Sequence, residues 1–577
     1  MKKINKIILL LLLSSFSFVG CNSLLDVDSD RIVSPEDYDF SAANDTLYSM
    51  FAIYSQLEKL ADRYVILGEL RGDLMDVSEK SSIDLKEINN FEISASNPYN
   101  NIKDYYSIIN NCNYIIHNID TSVVKGGRYI MLKEYAACKA IRAWTYMQIA
   151  LNYGAAIYYD QPILTVEDAT TIQKQPVMTL EELAPTLIND LQPYKNVDNP
   201  SLGTYNGYNL KNTFFPIRFL LGDLYLWTGQ YENAAQEYYT LINNNTYLIR
   251  DNMFETVRNT TISSTGTVSF TDAWTYYGGG WDYLFTKGTS EHITDLLATN
   301  QYGNVFQIDS LAANSTLTPS AVALNNWNTQ MYYHSAVLDT LGDLRKYGSV
   351  YSENNRFSFN DFFNTDMANF KIYKYRIMNE RSDSRSTPKT VAVYRVALLY
   401  LRYAEALNRL EMPNTAFAIL KKGLNATNFV ALPKNEKVMQ INQRTIKSKL
   451  NNTVDSVAYD TTYTAKPYAN FSDTKFSTNI GVRMRGLGNV HQDTTHYIIP
   501  NLTTKQDTIL FVEDKIQEEL ALETAFEGNR FQDLMRFAIR RNDNSYLADK
   551  VSQKHVDNAA AIKTKLLQRE KWYLSKK

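Results

Sequence analysis

Two stretches of the chain share a spacing of small residues that is typical of two helices joined by a short turn. Gly222 and Ala234 lie twelve positions apart, with Gly229 between them as a helix breaker. Ala404 and Ala416 repeat the interval of twelve in a distant stretch. Small side chains leave room for the backbones of paired helices to approach. The spacing therefore predicts two helical hairpins of one common geometry.

The same spacing occurs in tetratricopeptide repeats, whose helix pairs stack on one another. Here the units cover residues 215–242 and 398–424. Another helix, predicted at residues 129–152, carries apolar residues on two sides, which indicates that it lies between neighbouring helices. The alternative is a pair of unrelated hairpins, because the units are not contiguous and stacked repeats need about three of them.

Helical periodicity dominates the mature chain outside two long stretches. Helices are also predicted at residues 44–67, 99–119 and 511–541. Residues 246–395 lose the period, and residues 427–510 are irregular and rich in Thr, Asn, Asp and Tyr. Long irregular segments of a compact protein are usually functional. We therefore predict an all-α protein, in which tetratricopeptide-like helix pairs form a scaffold and a loop-rich irregular part binds a ligand.

The first residues indicate an export signal rather than a membrane span. The apolar run from Ile7 to Val19 is shorter than the ~20 residues that cross a bilayer, and lysines precede it. The sequence FVGC, which ends at Cys21, resembles a bacterial lipobox, where the cysteine is lipidated and becomes the new N-terminus. We expect residues 1–20 to be removed and Cys21 to carry a lipid anchor. An ordinary signal peptide with a chance cysteine is the alternative.

Charge and cysteine content narrow the classes of partner and scaffold. The formal net charge of −3 argues against nucleic acid as the main partner, because phosphate binding requires a basic face. Beyond Cys21 the chain has only Cys112 and Cys138, so a disulfide scaffold is excluded. Both cysteines lie in apolar helical stretches, which favours two buried free thiols over one bridge.

The histidines and the glycine-rich segments show no recognisable catalytic or metal-binding pattern. His491 and His496 share a predicted loop, but their spacing matches no common zinc motif. The sequence YGGGW lacks the Lys-Ser/Thr of a phosphate loop, and a nucleophile elbow is absent from the sequence. We predict neither a cofactor nor a metal site.

A pair of carboxylates late in the chain is the remaining candidate for catalysis. Glu523 and Glu527 lie four positions apart on one predicted helix face, and a glycosidase needs two such groups. However, Arg530, Asp533 and Arg536 follow closely. An ion-pair network that supports helix packing is therefore favoured over an acid–base pair.

Aromatic residues concentrate around three consecutive glycines in the loop-rich part. They are Trp274, Tyr276, Tyr277, Trp281 and Tyr283. The glycines let the backbone turn and expose the rings, whose flat faces suit the C–H faces of sugars and give contact area at low entropy cost. The alternative is that some of the rings fill a core beneath the loop. Trp327, Tyr332 and Tyr333 form a weaker second cluster.

Five motifs, in their usual order, resemble the SusD/RagB family of nutrient-binding outer-membrane lipoproteins. They are GELRGDLMD (68–76), the R-x-A…Y-A-E-A motif from Arg395 to Ala406, GVRMRGLG (481–488), the E-x-A-F-E-G-x-R motif from Glu523 to Arg536, and KWYL (571–574). The helix that contains EYAACKAIRAWTYMQIALNYG and the lipobox also resemble the family. The resemblance covers nearly the whole chain.

The resemblance implies an all-α fold without catalysis. It implies a helical region at 21–245, a ligand-binding region at 246–395 and a C-terminal helical region at 396–577, which includes the insertion 427–510. Such proteins form lids over a SusC-like TonB-dependent transporter, capture glycans or peptides and pass them inward. An acidic stretch at Asp26, Asp28 and Asp30 resembles the surface-export signals of bacteria that use this family, so we expect an outer-membrane protein that faces the exterior.

The resemblance also indicates polar ligand contacts near the first helices, at Arg71, Asp73, Tyr99 and Asn101. Together with Trp274, Tyr277, Trp281, Tyr283 and Trp327 they are the candidate ligand-binding residues. The sequence thus predicts a non-enzymatic surface lipoprotein that binds glycans. A peptide-binding member of the same family, a protein-binding repeat scaffold and, least favoured, a hydrolase are the alternatives.

Overall fold

The computed structural model describes most of the chain. The described residues are 43–205, 208–244, 246–249, 259–262, 264–265, 268–271, 291–298, 306–334, 337–339, 342–343, 345–352, 370–375, 389–447, 454–486 and 496–575. Among them, no helix combines the length and the apolar character needed to cross a membrane.

Helices form the body of the protein. In the first half they are α1 (Ala43–Glu69), α2 (Ile83–Asn89), α3 (Ile102–Asn118), α4 (Leu132–Tyr153), α5 (Val166–Gln173), α6 (Leu180–Leu191), α7 (Ile217–Trp227) and α8 (Tyr231–Asn243). In the second half they are α9 (Ile308–Ala313), α10 (Ala321–Asn328), α11 (Lys346–Ser349), α12 (Val396–Arg409), α13 (Pro413–Lys421), α14 (Ala426–Val430), α15 (Lys505–Glu523), α16 (Arg530–Arg541), α17 (Asn544–Ser552) and α18 (Ala559–Leu566). The predicted all-α class is confirmed.

Strands are short and occur in antiparallel pairs. The pairs are β1 (Met75–Val77) with β11 (Leu317–Pro319), β2 (Val124–Lys125) with β3 (Arg128–Tyr129), β4 (Ala156–Ile157) with β5 (Val177–Met178), β6 (Thr204–Tyr205) with β7 (Tyr208–Asn209), β8 (Asn259–Ile262) with β9 (Val268–Thr271), β10 (His292–Ala298) with β16 (Lys389–Arg395), β12 (Tyr332–His334) with β13 (Val337–Asp339), β14 (Val350–Ser352) with β15 (Phe370–Ile372), and β17 (Val438–Lys447) with β18 (Val454–Thr464).

The two predicted helix pairs are α7–α8 and α12–α13. They pack side by side, with α12 in contact with α8. A Cβ on Gly222 would lie 2.4 Å from Cε1 of Tyr238, so only glycine leaves room for this ring. The Tyr238 hydroxyl donates a 2.6 Å hydrogen bond to Asp223, which fixes the ring between the helices. The small residue at the crossing point thus allows the close approach that its spacing predicted.

Helix α4 is an inner helix, as its two apolar faces predicted. Its residues from Ala136 to Tyr153 are all buried, and it contacts α3, α6 and α7. The helix ends at Gly154, whose φ of +80° favours glycine. Cys112 and Cys138 are both buried and free, which confirms the expected thiols.

The insertion 427–510 is not irregular throughout, which corrects the prediction. Strands β17 and β18 form a long antiparallel hairpin, with Met439 opposite Tyr463 and Ile441 opposite Thr461. The alternation of apolar, β-branched and aromatic residues with polar ones favours such strands. The polar composition concealed this period because both faces of a two-stranded hairpin can meet water.

The C-terminal segment closes the core instead of trailing from it. Trp572 is fully buried, and its carbonyl accepts a 3.1 Å hydrogen bond from Nη1 of Arg71. The backbone N–H of Leu574 donates to the carbonyl of Asn152 at 2.8 Å. The end of the chain is therefore held between the segment that follows α1 and the end of α4.

Candidate ligand-binding region

The described part of the loop-rich region is organised around the β10–β16 pair. The two strands run antiparallel, with Leu297 opposite Thr390, and β10 contacts α1. Glu291 immediately precedes β10 and follows the segment that contains the predicted aromatic loop. Arg395 ends β16 and starts α12, where the scaffold resumes. The two residues therefore mark the junction of the loop-rich part with the helices.

Glu291 is buried and holds two arginines at this junction. Its Oε1 accepts from Nη1 of Arg395 at 2.9 Å and from Nη1 of Arg485 at 3.0 Å. Its Oε2 accepts from Nη2 of Arg485 at 2.8 Å, so the contact with Arg485 is bidentate. Bidentate pairs fix orientation as well as distance. Glu291 thus joins β10, β16 and the 3₁₀ turn Val482–Gly486.

Glu523 and Glu527 form the acidic side of the same network. Oε2 of Glu523 accepts from Nη1 of Arg345 at 3.0 Å, and its Oε1 lies against Arg485. Glu527 accepts from Nε of Arg395 at 2.7 Å and from Nζ of Lys374 at 2.6 Å. Because each carboxylate already binds two cationic groups, the ion-pair interpretation is confirmed.

The electrostatics of the two carboxylates oppose a role as general acid. Burial alone would raise the pKa of Glu523, but Arg485, Arg395 and Arg345 outweigh it and lower the pKa to about 2. Arg395 and Lys374 likewise lower the pKa of Glu527 against its burial. A catalytic acid needs the opposite shift, toward neutral pH. The pair is built to remain charged.

The motif GVRMRGLG contributes to this network through close packing. Arg485 belongs to it, and a Cβ on Gly486 would lie 2.4 Å from Oδ2 of Asp343. Asp343 in turn accepts a 2.9 Å hydrogen bond from Nε of Arg345. The glycine therefore lets the turn approach the Asp343–Arg345 pair, which explains why arginine and glycine are adjacent here.

Two of the predicted ligand contacts, Arg71 and Asp73, are corrected, because the structure places both inside the protein. Arg71 is 1% exposed and donates from Nε to the carbonyl of Leu67 at 2.7 Å. Burial lowers its pKa to about 10. Asp73, 2% exposed, accepts from Nε and Nη2 of Arg530 at 2.5 and 2.8 Å. These side chains support packing and do not face a ligand.

Trp327 is corrected for the same reason. Its side chain is 0% exposed, and Nε1 donates to the carbonyl of Leu522 at 3.2 Å. The ring packs against Phe526, with 6.0 Å between the centroids. Trp327 therefore fills the core between α10 and α15 instead of presenting a stacking face.

Tyr99 and Asn101 lie nearer the surface and remain candidates. Asn101 caps α3, since its Oδ1 accepts from the backbone N–H of Lys103 at 3.2 Å. Tyr99 is half-buried, and burial together with Asp62 and Asp84 raises its pKa to about 12. The capping bond occupies Oδ1 of Asn101, whose Nδ2 donates to Asp104 at 2.9 Å, while the Tyr99 ring keeps a partly exposed face.

The other predicted site residues lie outside the described residues. They are Cys21, Trp274, Tyr277, Trp281 and Tyr283. Sequence reasoning missed Glu291, Arg345, Lys374 and Arg485, which the structure joins to the flagged Glu523 and Glu527. The family-like motifs at 481–488 and 523–536 were the available signal, but they did not reveal which residues pair.

The described residues contain no group of three or more side chains that could hold a metal ion. They do form a groove of about 680 Å³ on the helical scaffold. Tyr153, Trp227, Arg569 and Tyr573 contribute to its walls. Of the predicted ligand-binding residues that the structure describes, Arg71, Asp73, Tyr99, Asn101 and Trp327, none lines this groove.

No protein-family model and no curated protein sequence matches the chain. Its fold, however, matches solved structures. A SusD superfamily protein from Bacteroides vulgatus aligns with a TM-score of 0.57 at 14% identity, over 91% of this chain and 92% of its own. A SusD homolog from Bacteroides thetaiotaomicron aligns with a TM-score of 0.53 at 14% identity, over 89% and 94%.

A third match is surface glycan-binding protein A from Bacteroides fluxus. It aligns with a TM-score of 0.51 at 12% identity, over 89% of this chain and 91% of its own. Identities this low establish a fold and not a ligand. The protein therefore has the fold of the SusD superfamily, as the resemblance of its motifs predicted.

Proposed function

We propose that the protein is a non-enzymatic cell-surface lipoprotein that captures glycans and delivers them to a SusC-like TonB-dependent transporter. The observation that carries this proposal is the SusD-like fold over 91% of the chain. A match named as a surface glycan-binding protein supports a glycan as the ligand. The fully paired state of Glu523 and Glu527 agrees with binding without catalysis.

Capture relies on rigid contacts and no chemical step. The helical scaffold holds the loop ends, and the aromatic rings of residues 274–283 offer flat faces to sugar rings. Tyr99 and polar groups near it supply hydrogen bonds that set specificity. A lipid on Cys21 keeps the body at the outer membrane, facing the exterior, where the ligand passes to the transporter.

Affinity electrophoresis of the protein without residues 1–21, against a panel of polysaccharides and peptides, tests the ligand class. We expect retardation by at least one polysaccharide. Retardation by peptides alone would favour the peptide-binding alternative. Unchanged migration across the panel, with a copurifying protein partner, would favour the repeat scaffold and overturn the proposal.

Matched variants test the aromatic loop. Trp281→Ala and Tyr277→Ala should each weaken retardation about tenfold or more, because burying a large apolar side chain against a ligand contributes about 1.5–3 kcal/mol. Tyr459→Ala is the control, since Tyr459 is 67% exposed on the β17–β18 hairpin, outside the proposed site. Equal retardation of all three variants and the wild type would remove the loop from the site.

Anchoring has its own test. Cys21→Ala should abolish incorporation of labelled palmitate and release the protein from the membrane fraction, because the lipid supplies the membrane affinity. Protease treatment of intact cells should cleave the wild-type protein. Full protection would place the protein on the inner face and contradict surface exposure.

A further inference from the structure

The buried network at the base of the loop-rich part joins segments that are far apart in the chain. Glu291 immediately precedes β10, Arg395 ends β16, and Arg485 lies in the turn Val482–Gly486. Arg395 and Arg485 each contact both Glu291 and Glu523, so the two arginines bridge the two glutamates. Glu523 itself ends α15, one of the scaffold helices.

Glu291 also accepts hydrogen bonds from the first N–H groups of a scaffold helix. Its Oε1 accepts from the backbone N–H of Ala397 at 3.1 Å, and its carbonyl accepts from the N–H of Val396 at 2.9 Å. Both N–H groups belong to the first turn of α12, where a negative charge is favourable. One carboxylate thus binds the helix start and two arginines from separate segments.

We propose that Glu291 is a positioning residue, which joins the ends of the loop-rich segments into one cooperative unit and so fixes the ligand surface. The inference rests on the proposed function for the ligand surface. Its physical basis is that Arg395 and Arg485 keep Glu523 when Glu291 is lost, but Arg485 loses its bidentate partner and the Ala397 N–H loses its acceptor, and broken buried hydrogen bonds are costly. The segments that carry Arg395 and Arg485 therefore keep their positions together or lose them together.

Hydrogen exchange of amide groups tests the cooperative unit without any ligand. In Glu291→Gln, exchange should accelerate about tenfold or more in residues 291–298, and by a similar factor in 389–395 and 482–486. Peptides from α4 and α6 should exchange as in the wild type. Acceleration confined to 291–298, or one uniform factor throughout the molecule, would overturn the inference.

Glu405→Gln is the matched control. Glu405 is as buried as Glu291, and it forms a bidentate pair with Arg536 at 2.9 and 2.7 Å, within the scaffold. Its loss should accelerate exchange in α12 and α16 and leave 482–486 unchanged. If Glu405→Gln also accelerates 482–486, the network at Glu291 has no special role.

Ligand retardation supplies the second readout. Glu291→Gln should weaken it at least tenfold, although none of its atoms need touch the ligand, while Glu405→Gln should stay within twofold of the wild type. Unchanged retardation in a Glu291→Gln protein whose exchange has accelerated would show that the unit does not position the surface.

A double variant keeps the test decisive if Glu291→Gln folds poorly. Glu291→Gln with Arg485→Gln removes one charge of each sign, so it should fold and restore exchange in 389–395 to within threefold of the wild type. Failure of this rescue would contradict the inference that the ion pairs of Glu291 hold the segments together. If the wild type binds no glycan or peptide, the proposed function fails, whereas the exchange pattern still decides whether Glu291 joins the segments.

Discussion

The helical scaffold contains separate buried ion pairs such as Glu405–Arg536, whereas the base of the loop-rich part joins several into one network. In the scaffold, α7 and α8 meet through the Tyr238 ring in the space left by Gly222, and α4 is buried along most of its length. At the loop base, the segments meet through the charges of Glu291, Arg395 and Arg485. Apolar burial tolerates small displacements, whereas bidentate ion pairs specify orientation.

The difference follows from what each region can bury. A helix with a wide apolar face gains stability wherever it packs. A short strand such as β10 buries few large apolar side chains, Ile293 and Leu296, so charged partners help to specify its position. Buried ion pairs give little net stability because desolvation offsets their attraction. The charges at the loop base thus fix the relative orientation of the segments, while apolar burial in the scaffold supplies most of the free energy of folding.

The largest effect should come from removing a carboxylate of the ion-pair network beneath the loop-rich part. Glu523→Gln removes a buried carboxylate that Arg345, Arg395 and Arg485 share, although each keeps another carboxylate, so we expect a loss of about 3 kcal/mol in the free energy of unfolding. Urea denaturation measures it. The control is Glu518→Gln on the same helix, which pairs with Lys515 at a partly exposed site and should cost less than about 1 kcal/mol. Equal losses of unfolding free energy in the two variants would show that the buried network contributes no more than a partly exposed ion pair.

The second largest effect should come from low pH, which removes the stabilisation that Glu523 gives to the ion-pair network. Arg485, Arg395 and Arg345 lower the pKa of Glu523 from its ordinary value of about 4.5 to about 2 in the folded protein, so its contribution is present above pH 4.5 and is lost as pH falls toward 2. The shift corresponds to about 3 kcal/mol. Urea midpoints of the wild type and Glu523→Gln should therefore converge as pH falls from 5 to 2.5. A difference that stays constant would contradict this assignment.

A smaller effect should come from crowding the scaffold. Gly222→Ala places a methyl group against Tyr238, whose hydroxyl is held by Asp223, so we expect a loss of about 1–3 kcal/mol. Gln236→Ala, on the exposed face of α8, should change stability by less than about 0.5 kcal/mol. Urea denaturation compares the two. A Gly222→Ala protein as stable as the wild type would show that the ring can move aside.

The smallest effect should be on the hairpin, which belongs to neither region. Tyr459→Ala removes a ring that is 67% exposed, so the free energy of unfolding should change by less than about 0.5 kcal/mol. Thermal denaturation monitored by circular dichroism measures it. A loss above 1 kcal/mol would mean that the hairpin packs as part of the scaffold.

The scaffold was predictable because its signals are local. The interval between Gly222 and Ala234 predicts one helix pair. The periodicity of residues 129–152 predicts an inner helix, whichever helices surround it. The network was only half predictable. Glu523 and Glu527 were identified as charges in an ion-pair network, but Glu291 and Arg485 are 194 positions apart, and no local pattern connects them.

The wrong assignments share a cause. Asp73 and Arg530 are 457 positions apart, so the sequence shows Asp73 as an unpaired polar residue near a predicted helix end. Arg71 and Trp327 have the residue types of ligand contacts, but their burial depends on distant segments such as α15. Residue type predicts what a side chain can do, and tertiary packing decides whether it faces solvent.

The buried C-terminal tryptophan has a consequence for the order in which the chain can fold. Arg71 and Trp572 are 501 positions apart, yet they are bonded in the finished core. Contacts of such long range form slowly, because a long loop must close before the two residues can meet. The contact between Arg71 and Trp572 should therefore form after the helix pairs, whose partners are close in sequence.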